Sequence, residues 1–306
     1  MKEKKIITSI NNKYNSQGEN PHTYLSGLMH SKPINYWEYC EVETLLTLQK
    51  SRTNLDDEMI FIMYHQINEL IFKMILSEIE QICFKNESEE FYEKKINRIL
   101  RYFDILISSF SIMKDGMDVN QYMKFRDALT PASGFQSSQY RKIELSLTNI
   151  ENLIDVRFRK NNFSSVKQKF DCLYWQSVGK DFKNGKTNVM LKEFLNKYES
   201  ILIEFTLKYE KKNFNYKFLK SKSKKIKELL RKLDFKINIE WPLTHYKTAE
   251  HYLENPKFFE STGGSKWKKY MHPQYQKRIF FPSFWSEIEK KNWGLNTKYN
   301  ELNVDD

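Results

Sequence analysis

The chain has 306 residues, enough for one large domain or two ordinary ones with a substantial buried core. Aromatic residues make up 15% of it, with 22 Phe and 18 Tyr, whereas Gly and Pro number only 9 and 7. So few turn-forming residues argue against a β-sandwich or barrel and favour helices. The net charge of +11 comes from scattered lysines, without a zinc-finger, helix-turn-helix or RNA-recognition motif. We therefore predict no nucleic-acid partner and keep that class only as a remote alternative.

The cysteines and the N-terminus indicate a compartment. Cys40, Cys83 and Cys172 are far apart and lack metal-ligand spacing, and an odd number without a pairing pattern fits a reducing environment. The first residues lack the apolar stretch of a signal peptide, and no segment is expected to reach the apolar length that spans a bilayer. The prediction is a cytoplasmic protein with no membrane partner.

Helical periodicity covers most of the chain. Residues 1–35 are predicted to form an arm that packs on another surface, because a disordered tail would not need Tyr24 and Leu25. In chain order, the apolar spacing then predicts helices at about residues 36–49, 58–82, 91–113, 122–129, 138–149, 191–212 and 223–235.

The predicted helix at 58–82 is apolar around most of its circumference, which is typical of a central core helix. Residues 157–190 are mixed and basic, and we predict a peripheral insertion there. A distinct C-terminal region is expected to begin at Trp241. No segment shows convincing strand alternation, so the predicted fold class is all-α.

The most specific segment is a loop between two predicted helices. Pro131 ends the first helix, and Gly134 allows backbone angles that other residues avoid. A plain connector would be polar, yet Phe135 follows the glycine directly and Arg126 precedes the break. These residues make the segment a candidate functional loop.

His65 lies in the middle of the most apolar predicted helix, where an unpaired ring would cost free energy. Phe61, His65, Glu69 and Phe72 share one stripe at helical spacing. One interpretation is a core histidine bonded to Glu69 or to a backbone carbonyl, which is the commoner situation for a lone helix histidine. The other is a distal histidine over a cofactor or substrate, with Phe61 shaping an apolar pocket.

His245 and His251 are six residues apart, about 240° around a helix, so one regular helix cannot aim both at one metal. This spacing excludes the helical zinc motif HExxH. One of the two can instead be the single protein ligand of a haem iron. The alternative, favoured for either residue taken alone, is a surface or capping histidine.

Arg126 and Tyr122 are four residues apart and share a helix face. A guanidinium matches the planar geometry of a carboxylate, so Arg126 in an aromatic pocket points to an amino acid or another acidic substrate. Tyr122 adds a hydroxyl to the same anion. An ion pair with Asp127, or a bond to a helix carbonyl, is an equally weighted alternative.

The segment Thr262-Gly263-Gly264-Ser265 has the composition of a mobile loop with hydroxyl donors. No Lys-Ser/Thr pair follows at the spacing of a nucleotide-binding P-loop. A loop that closes over a bound substrate is the better interpretation.

Taken together, these segments resemble the tryptophan 2,3-dioxygenase family, haem enzymes that open the indole ring with molecular oxygen. The resemblance keeps the family's order over roughly residues 36–285. It is carried by residues 57–70 around His65, by 122–127, by the loop 131–137 with Gln139-Tyr140-Arg141, by Trp241 with His245, by 262–265 and by Phe280-Phe281-Pro282.

This resemblance implies an all-α helical bundle that binds haem b, with additional peripheral helices. Residues 36–306 would form the single haem domain, and the arm at 1–35 would pack on a neighbouring subunit of a homotetramer. The implied partners are an aromatic amino acid and O₂.

The resemblance also implies a role for each candidate residue. His245 resembles the proximal ligand of the haem iron, and His65 resembles the distal histidine beside the indole nitrogen. The remaining positions are a pocket wall at Phe61, the substrate-carboxylate clamp at Arg126 and Tyr122, the contact to the substrate ammonium and carboxylate at Thr262, and an aromatic that reaches the neighbouring subunit's site at Tyr36.

The chain departs from the family pattern on the proximal and lid side. Pro242 stands where the family usually has arginine, and the interval from His245 to Thr262 is about three residues longer. Further departures are Ala249 and His251 for the usual valine and arginine, Ser261 for glycine, and Lys266-Trp267 for a small Ser-Gly pair.

The expected activity is therefore the opening of L-tryptophan or a substituted tryptophan to an N-formylkynurenine-type product, as in tryptophan catabolism by the kynurenine pathway. The runner-up is a related haem monooxygenase of specialised metabolism that hydroxylates tyrosine or forms an oxindole. A haem-binding protein without turnover is a third reading, which the departures at Pro242 and His251 support.

Overall fold

The computed structural model describes residues 2–129, 134–182, 184–253, 272–295 and 299. The predicted all-α class is confirmed: these residues form helices and two isolated β-bridges, Ile154 with Leu173 and Lys180 with Thr187, and no strand. The chain divides into two compact units, residues 1–50 and 51–306.

The first unit is helical from its start. Its helices are α1 (Lys2–Asn15), α2 (Pro21–His30), α3 (Tyr36–Cys40) and α4 (Val42–Leu45). The single helix predicted over 36–49 is wrong, because Glu41 adopts the left-handed conformation, φ 52°, and separates α3 from α4. Among the described residues of this unit, only Pro21 is buried.

The second unit contains twelve further described helices. They are α5 (Asp57–Phe84), α6 (Glu89–Ser108), α7 (Phe110–Lys114), α8 (Val119–Ala128), α9 (Ser138–Leu147), α10 (Val166–Phe170), α11 (Val189–Tyr209), α12 (Phe214–Phe218), α13 (Lys224–Phe235), α14 (Trp241–Leu253), α15 (Pro273–Gln276) and α16 (Glu287–Lys291). The predicted helices of this unit are thus present, with boundaries shifted by a few residues and with the stretch 91–113 divided at Ser109.

Helix α5 lies at the centre of the unit, packed against α6, α8 and α9. The main core joins fully buried side chains of five helices: Ile75 and Ile79 of α5, Ile99 and Phe103 of α6, Ile143 of α9, Leu202 of α11 and Leu230 of α13. Burial of one such side chain is worth about 1.5–3 kcal/mol relative to exposure, so this contact surface is the main source of stability.

Helix α5 is also long and apolar enough, by length and composition, to cross a membrane, contrary to the sequence expectation. The contacts explain its composition differently. Ile75, Ile79 and Ile82 are fully enclosed by neighbouring helices, which is the situation of a core helix.

The predicted peripheral insertion at 157–190 is wrong for its middle part. Phe170 ends α10, and Trp175 lies in a 3₁₀ turn over Tyr174–Val178; both are buried in the main core. Trp175 packs edge-on against Phe194 of α11 at 5.5 Å between ring centroids. Basic residues on the surface of the segment conceal this apolar anchor in the sequence.

Trp241 does not begin a separate region. Helix α13 runs through a π-helical turn at Lys236–Glu240 directly into α14. Asp234 fixes this junction to the C-terminal segment, because its buried carboxylate accepts hydrogen bonds from the Phe280 and Phe281 amides and from the Trp285 indole. A buried carboxylate with this many donors is a strong local constraint.

Candidate active site

Two histidines from different helices lie close to each other. Solvent reaches the rings of His65 on α5 and His245 on α14, yet surrounding protein lowers the pKa of both. A side chain meets both conditions when it lines a concavity. Burial, together with the nearby His65 ring, lowers the pKa of His245 from 6.5 to about 4, so the two rings are close enough to interact.

Aromatic rings connect the two histidines. The Phe110 ring is stacked against His245, with centroids 5.6 Å apart, and lies 6.1 Å from Tyr64. Tyr64 in turn meets His65 edge-on at 5.3 Å. These contacts give the space an apolar wall that continues from one histidine to the other.

The hydrogen bond of His65 fixes its tautomer. Its Nδ1 lies 2.8 Å from the carbonyl oxygen of Phe61, and a carbonyl only accepts, so Nδ1 carries the proton. Burial lowers the pKa of His65, which keeps the ring neutral near pH 7. The Nε2 lone pair is then an acceptor, and it has no hydrogen-bond partner among the described residues.

The hydrogen bonds of His65 bear on the first of its two sequence interpretations and leave the second as a prediction. Its Nδ1 is satisfied by a backbone carbonyl, as the commoner interpretation expects. Glu69, the other proposed partner, accepts instead from the amide of Gln139 at 2.8 Å. The second ring nitrogen remains for a ligand.

Helices α5 and α8 cap each other. The side-chain oxygen of Gln121 accepts from the Asp57 amide at 3.1 Å, and the Asp57 carboxylate accepts from the Asp118 amide at 2.5 Å. Each helix thus satisfies backbone donors at the start of the other. This reciprocal contact sets α8 in register with the first turns of α5, where Phe61 and His65 lie.

Helix α8 places two aromatic rings near Phe61 and a buried arginine near one of them. The Tyr122 and Phe125 rings lie 6.1 and 5.7 Å from the Phe61 ring. Arg126 is buried, and its charge acts against the rise that burial causes in the pKa of Tyr122, so guanidinium and phenol are close. A buried guanidinium beside a phenol is suited to binding an anion.

Helix α14 presents His245 beside an indole. Trp241 precedes it by one turn, with ring centroids 6.2 Å apart. The Trp241 Nε1 donor is buried without a hydrogen-bond partner among the described residues. The ring nitrogens of His245 likewise have no hydrogen-bond partner in the described part of the chain. An imidazole without internal partners is suited to ligating a metal.

The described contacts do not join the remaining candidates to this group. His251 is exposed on α14, and its ring contacts Tyr252 at 5.2 Å. Tyr36 belongs to the first unit and is 75% exposed. Thr262, with the glycines and serine after it, lies outside the described residues, as does Pro131. The structure therefore brings together Phe61, His65, Tyr122, Arg126 and His245.

Sequence reasoning missed two further wall residues. Phe110 begins α7 inside what reads as one continuous helix, so no local signal marks it. Tyr252 packs on Tyr122 at 4.3 Å between ring centroids and donates its hydroxyl to the Met113 carbonyl. Tyr252 stands seven residues after His245, two helical turns along the same face, and this spacing was a usable signal.

A buried ionic cluster lies behind Trp241. Glu144 forms an ion pair with Arg141 at 2.9 Å, and it accepts hydrogen bonds from Arg278 at 2.6 Å and from the Tyr174 hydroxyl at 2.5 Å. Arg141 also lies over the ring of Tyr140, which packs on Trp241 at 4.9 Å. The cluster thus connects α9 and the C-terminal segment to the indole beside His245. Loss of one member would leave buried charge unpaired.

Comparison with known proteins identifies the family. The family model described as Tryptophan 2,3-dioxygenase matches residues 25–281. The chain belongs to the tryptophan 2,3-dioxygenase family. It is therefore a member of an enzyme family, and that family is generally haem-dependent.

Several curated relatives carry the same description. The tryptophan 2,3-dioxygenase of Bacillus thuringiensis subsp. konkukian is 28% identical over 268 residues, 83% of this chain and 91% of that protein. That of Bacillus cereus strain ATCC 10987 is 29% identical over 270 residues, with the same coverage. The one from Sorangium cellulosum is 38% identical over 129 residues, 38% of this chain and 31% of that protein.

The site of this tryptophan 2,3-dioxygenase family member fits a haem. Its two histidines lie close together beside stacked aromatic rings, which suits a flat apolar macrocycle held through an imidazole. The buried Trp241 Nε1 is an unsatisfied donor beside that imidazole. His245 is the residue that would hold the iron.

The lowered histidine pKa values predict a pH effect on the haem-free protein. Between pH 6.5 and about 4 the unfolded chain binds a proton at His245, whereas the folded chain does not. The free energy of unfolding therefore decreases as the pH is lowered through this range. Thermal unfolding at pH 7.5 and pH 5 measures this fall, which we expect to be smaller in His245→Phe. An equal fall in both proteins would show that His245 is not held neutral by the fold.

Proposed function

We propose that the protein is a haem-dependent dioxygenase that opens the indole ring of L-tryptophan, or of a substituted tryptophan, to an N-formylkynurenine-type product. The observation that carries this proposal is the pair of facing histidines with a buried arginine nearby. Haem b, when bound, supplies the activation of O₂. The chain supplies the orientation of the substrate and the exclusion of water.

His245 would hold the haem iron. Its ring has no hydrogen-bond partner in the described part of the chain, and its lowered pKa keeps it unprotonated, the form that binds a metal. Stacking on Phe110 limits rotation of the ring. The adjacent Trp241 Nε1 is available to a polar group of the cofactor.

His65 orients the indole. Because its Nδ1 proton is donated to the Phe61 carbonyl, its Nε2 accepts, and an indole N–H is a donor that cannot accept. Phe61 lies against His65 at 4.2 Å between ring centroids and forms the wall along which the substrate ring lies. A donor at Nε2 would make the same site reject an indole.

Arg126 and Tyr122 hold the substrate carboxylate. The guanidinium provides parallel donors to both oxygens, and the phenol adds a third. Burial excludes the water that would weaken these bonds. Thr262 is proposed to contact the ammonium and carboxylate as the loop around it closes, so that the amino acid is fixed at both ends in one pose.

An absorption spectrum tests this function directly. Purified protein supplemented with haem is expected to develop a Soret band, and L-tryptophan is expected to shift it by filling the space beside Phe61 and His65. Absence of a Soret band after supplementation would reject the haem assignment. A haem spectrum unaffected by L-tryptophan and by ring-substituted tryptophans would reject the substrate assignment.

We propose further that residues 1–35 pack on a neighbouring subunit in a homotetramer, with Tyr36 reaching that subunit's site. Among the described residues of the first unit only Pro21 is buried, and Tyr36 and Leu46 are mostly exposed, at 75% and 67%. Light scattering of a protein lacking residues 2–35 is expected to give a smaller assembly than the full chain. An unchanged mass would refute the arm's role.

The surface of the second unit supports the same assembly. Four apolar side chains of α5 form one exposed stripe on the face opposite Phe61 and His65: Met63, Ile67, Leu70 and Met74. A long apolar stripe on a helix is an expected subunit contact. Substitution of Leu70 by Glu is a matched second probe in the same light-scattering measurement.

A further inference from the structure

The helix that carries His245 contains a wide turn. The Trp241 amide donates to the carbonyl of Lys236, five residues earlier, where an α-helix would use the residue four earlier. Such π turns are rare and occur mostly as single interruptions of α-helices. This one comes immediately before α14, so it determines how α14 is rotated relative to α13.

Pro242 explains the wide turn. It has no amide proton, and in a regular α-helix its ring would collide with the carbonyl of Asn238. Widening the preceding turn moves that carbonyl away. Three consecutive residues, Ile237, Asn238 and Ile239, are buried at this point, as expected where a helix takes up an extra residue.

We propose that Pro242 is a positioning residue for His245: by maintaining the wide turn at Lys236–Glu240, it sets the rotational phase at which α14 presents His245 to the interior space. The proposal rests on His245 being the haem ligand, as in the proposed function.

The phase can be followed along the helix. Ile226, Leu230, Leu233 and Ile237 face the main core. In an uninterrupted α-helix, His245 would point about 90° away from the mean direction of these four residues. A wide turn holds one extra residue and therefore turns everything after it back by about 100°. His245 then returns to the line that faces the core.

The part of the helix before the turn cannot rotate to compensate. The Asp234 carboxylate accepts from the side-chain amide of Asn238 at 2.7 Å. It also accepts from the backbone amide of Phe280 at 2.9 Å and from the Trp285 indole at 2.9 Å. Arg231 is paired with Glu289 at 2.6 Å. These bonds hold α13 against the C-terminal segment, so a change in the turn rotates α14 instead.

Two variants test the phase. Pro242→Ala restores the amide and removes the collision, so the turn can close to an α turn and carry His245 away from the space. Deleting Glu240 in the Pro242→Ala protein also gives a regular α-helix, but with one residue fewer, so His245 keeps its original phase. Pro282→Ala, in the 3₁₀ turn at Pro282–Phe284, is the matched control.

The measurements are haem affinity, by titration of haem into the haem-free protein, and the iron–histidine stretching band of the ferrous protein in resonance Raman spectra. We expect Pro242→Ala to bind haem at least about tenfold more weakly, with a shifted or absent band, since displaced ligand support costs about 10- to 100-fold. Deletion of Glu240 in the Pro242→Ala protein is expected to restore the haem affinity and the Raman band. Pro282→Ala is expected to change neither the affinity nor the band.

The outcomes separate this proposal from the proposed function. If the unaltered protein does not bind haem, the proposed function fails. If it binds haem through a histidine and Pro242→Ala matches it in affinity and in the Raman band, only the positioning role fails. The positioning role fails equally if Pro242→Ala weakens haem binding and the folded Glu240 deletion does not restore it.

Discussion

Replacement of His245 by alanine is expected to abolish histidine ligation of haem. The ring is the only candidate ligand that both faces the interior space and lacks a hydrogen-bond partner in the described part of the chain. Loss of a bond that merely supports a metal ligand costs about 10- to 100-fold in affinity, so loss of the ligand itself should cost on the order of 100-fold or more.

The measurement is haem titration followed by absorption and electron paramagnetic resonance spectra. His251→Ala is the matched control, because His251 is exposed on the same helix and its ring contacts Tyr252. Added imidazole is expected to restore ligation in His245→Ala by entering the vacated volume. A normal histidine-ligated spectrum in His245→Ala, with the spectrum altered in His251→Ala, would show that the ligand is the other histidine.

Replacement of Arg126 by leucine is expected to weaken L-tryptophan binding while haem binding persists. A hydrogen bond to a charged group contributes about 1.5–3 kcal/mol, so loss of the guanidinium should weaken binding by about 10- to 100-fold. Because Arg126 lies on α8 and His245 on α14, the substitution leaves the proposed iron ligand in place. Titration of the Soret shift with L-tryptophan measures the affinity.

Tryptamine, which lacks the carboxylate, sharpens this test. If Arg126 binds the carboxylate, Arg126→Leu weakens the binding of L-tryptophan and leaves the affinity for tryptamine nearly unchanged. The difference between the two changes in binding free energy is the coupling energy between Arg126 and the carboxylate. Lys124→Leu, an exposed cation on the same helix, is the matched control and should alter neither ligand. Equal losses of affinity for both ligands, or no loss of affinity for L-tryptophan, would reject the assignment of Arg126 as the carboxylate clamp.

The sequence predicted the helices of the second unit because each buries one apolar face in a shared core. Ile75 and Ile79, or Ile99 and Phe103, recur at the helical spacing that such burial requires. The break at Glu41 could not be predicted, since nothing in that residue type requires the left-handed conformation. The anchor at Trp175 was hidden because its segment is basic on the surface.

The candidate site was predictable to the extent that its residues repeat along single helices. Phe61 with His65, and Tyr122 with Arg126, are one-turn pairs that a sequence displays directly. Contacts between helices leave no such pattern, so the role of Phe110 beside His245 emerged only from the fold. The wide turn before Trp241 follows from Pro242 only when the neighbouring core contacts are known.

Product analysis under ¹⁸O₂ tests the central claim most directly. The haem-loaded, reduced protein is incubated with L-tryptophan, and the masses of the products are measured by mass spectrometry. We expect an N-formylkynurenine-type product in which both oxygen atoms of one O₂ molecule are incorporated. A product with an intact ring and one labelled atom, or unchanged L-tryptophan in a protein that binds both haem and substrate, would contradict the account.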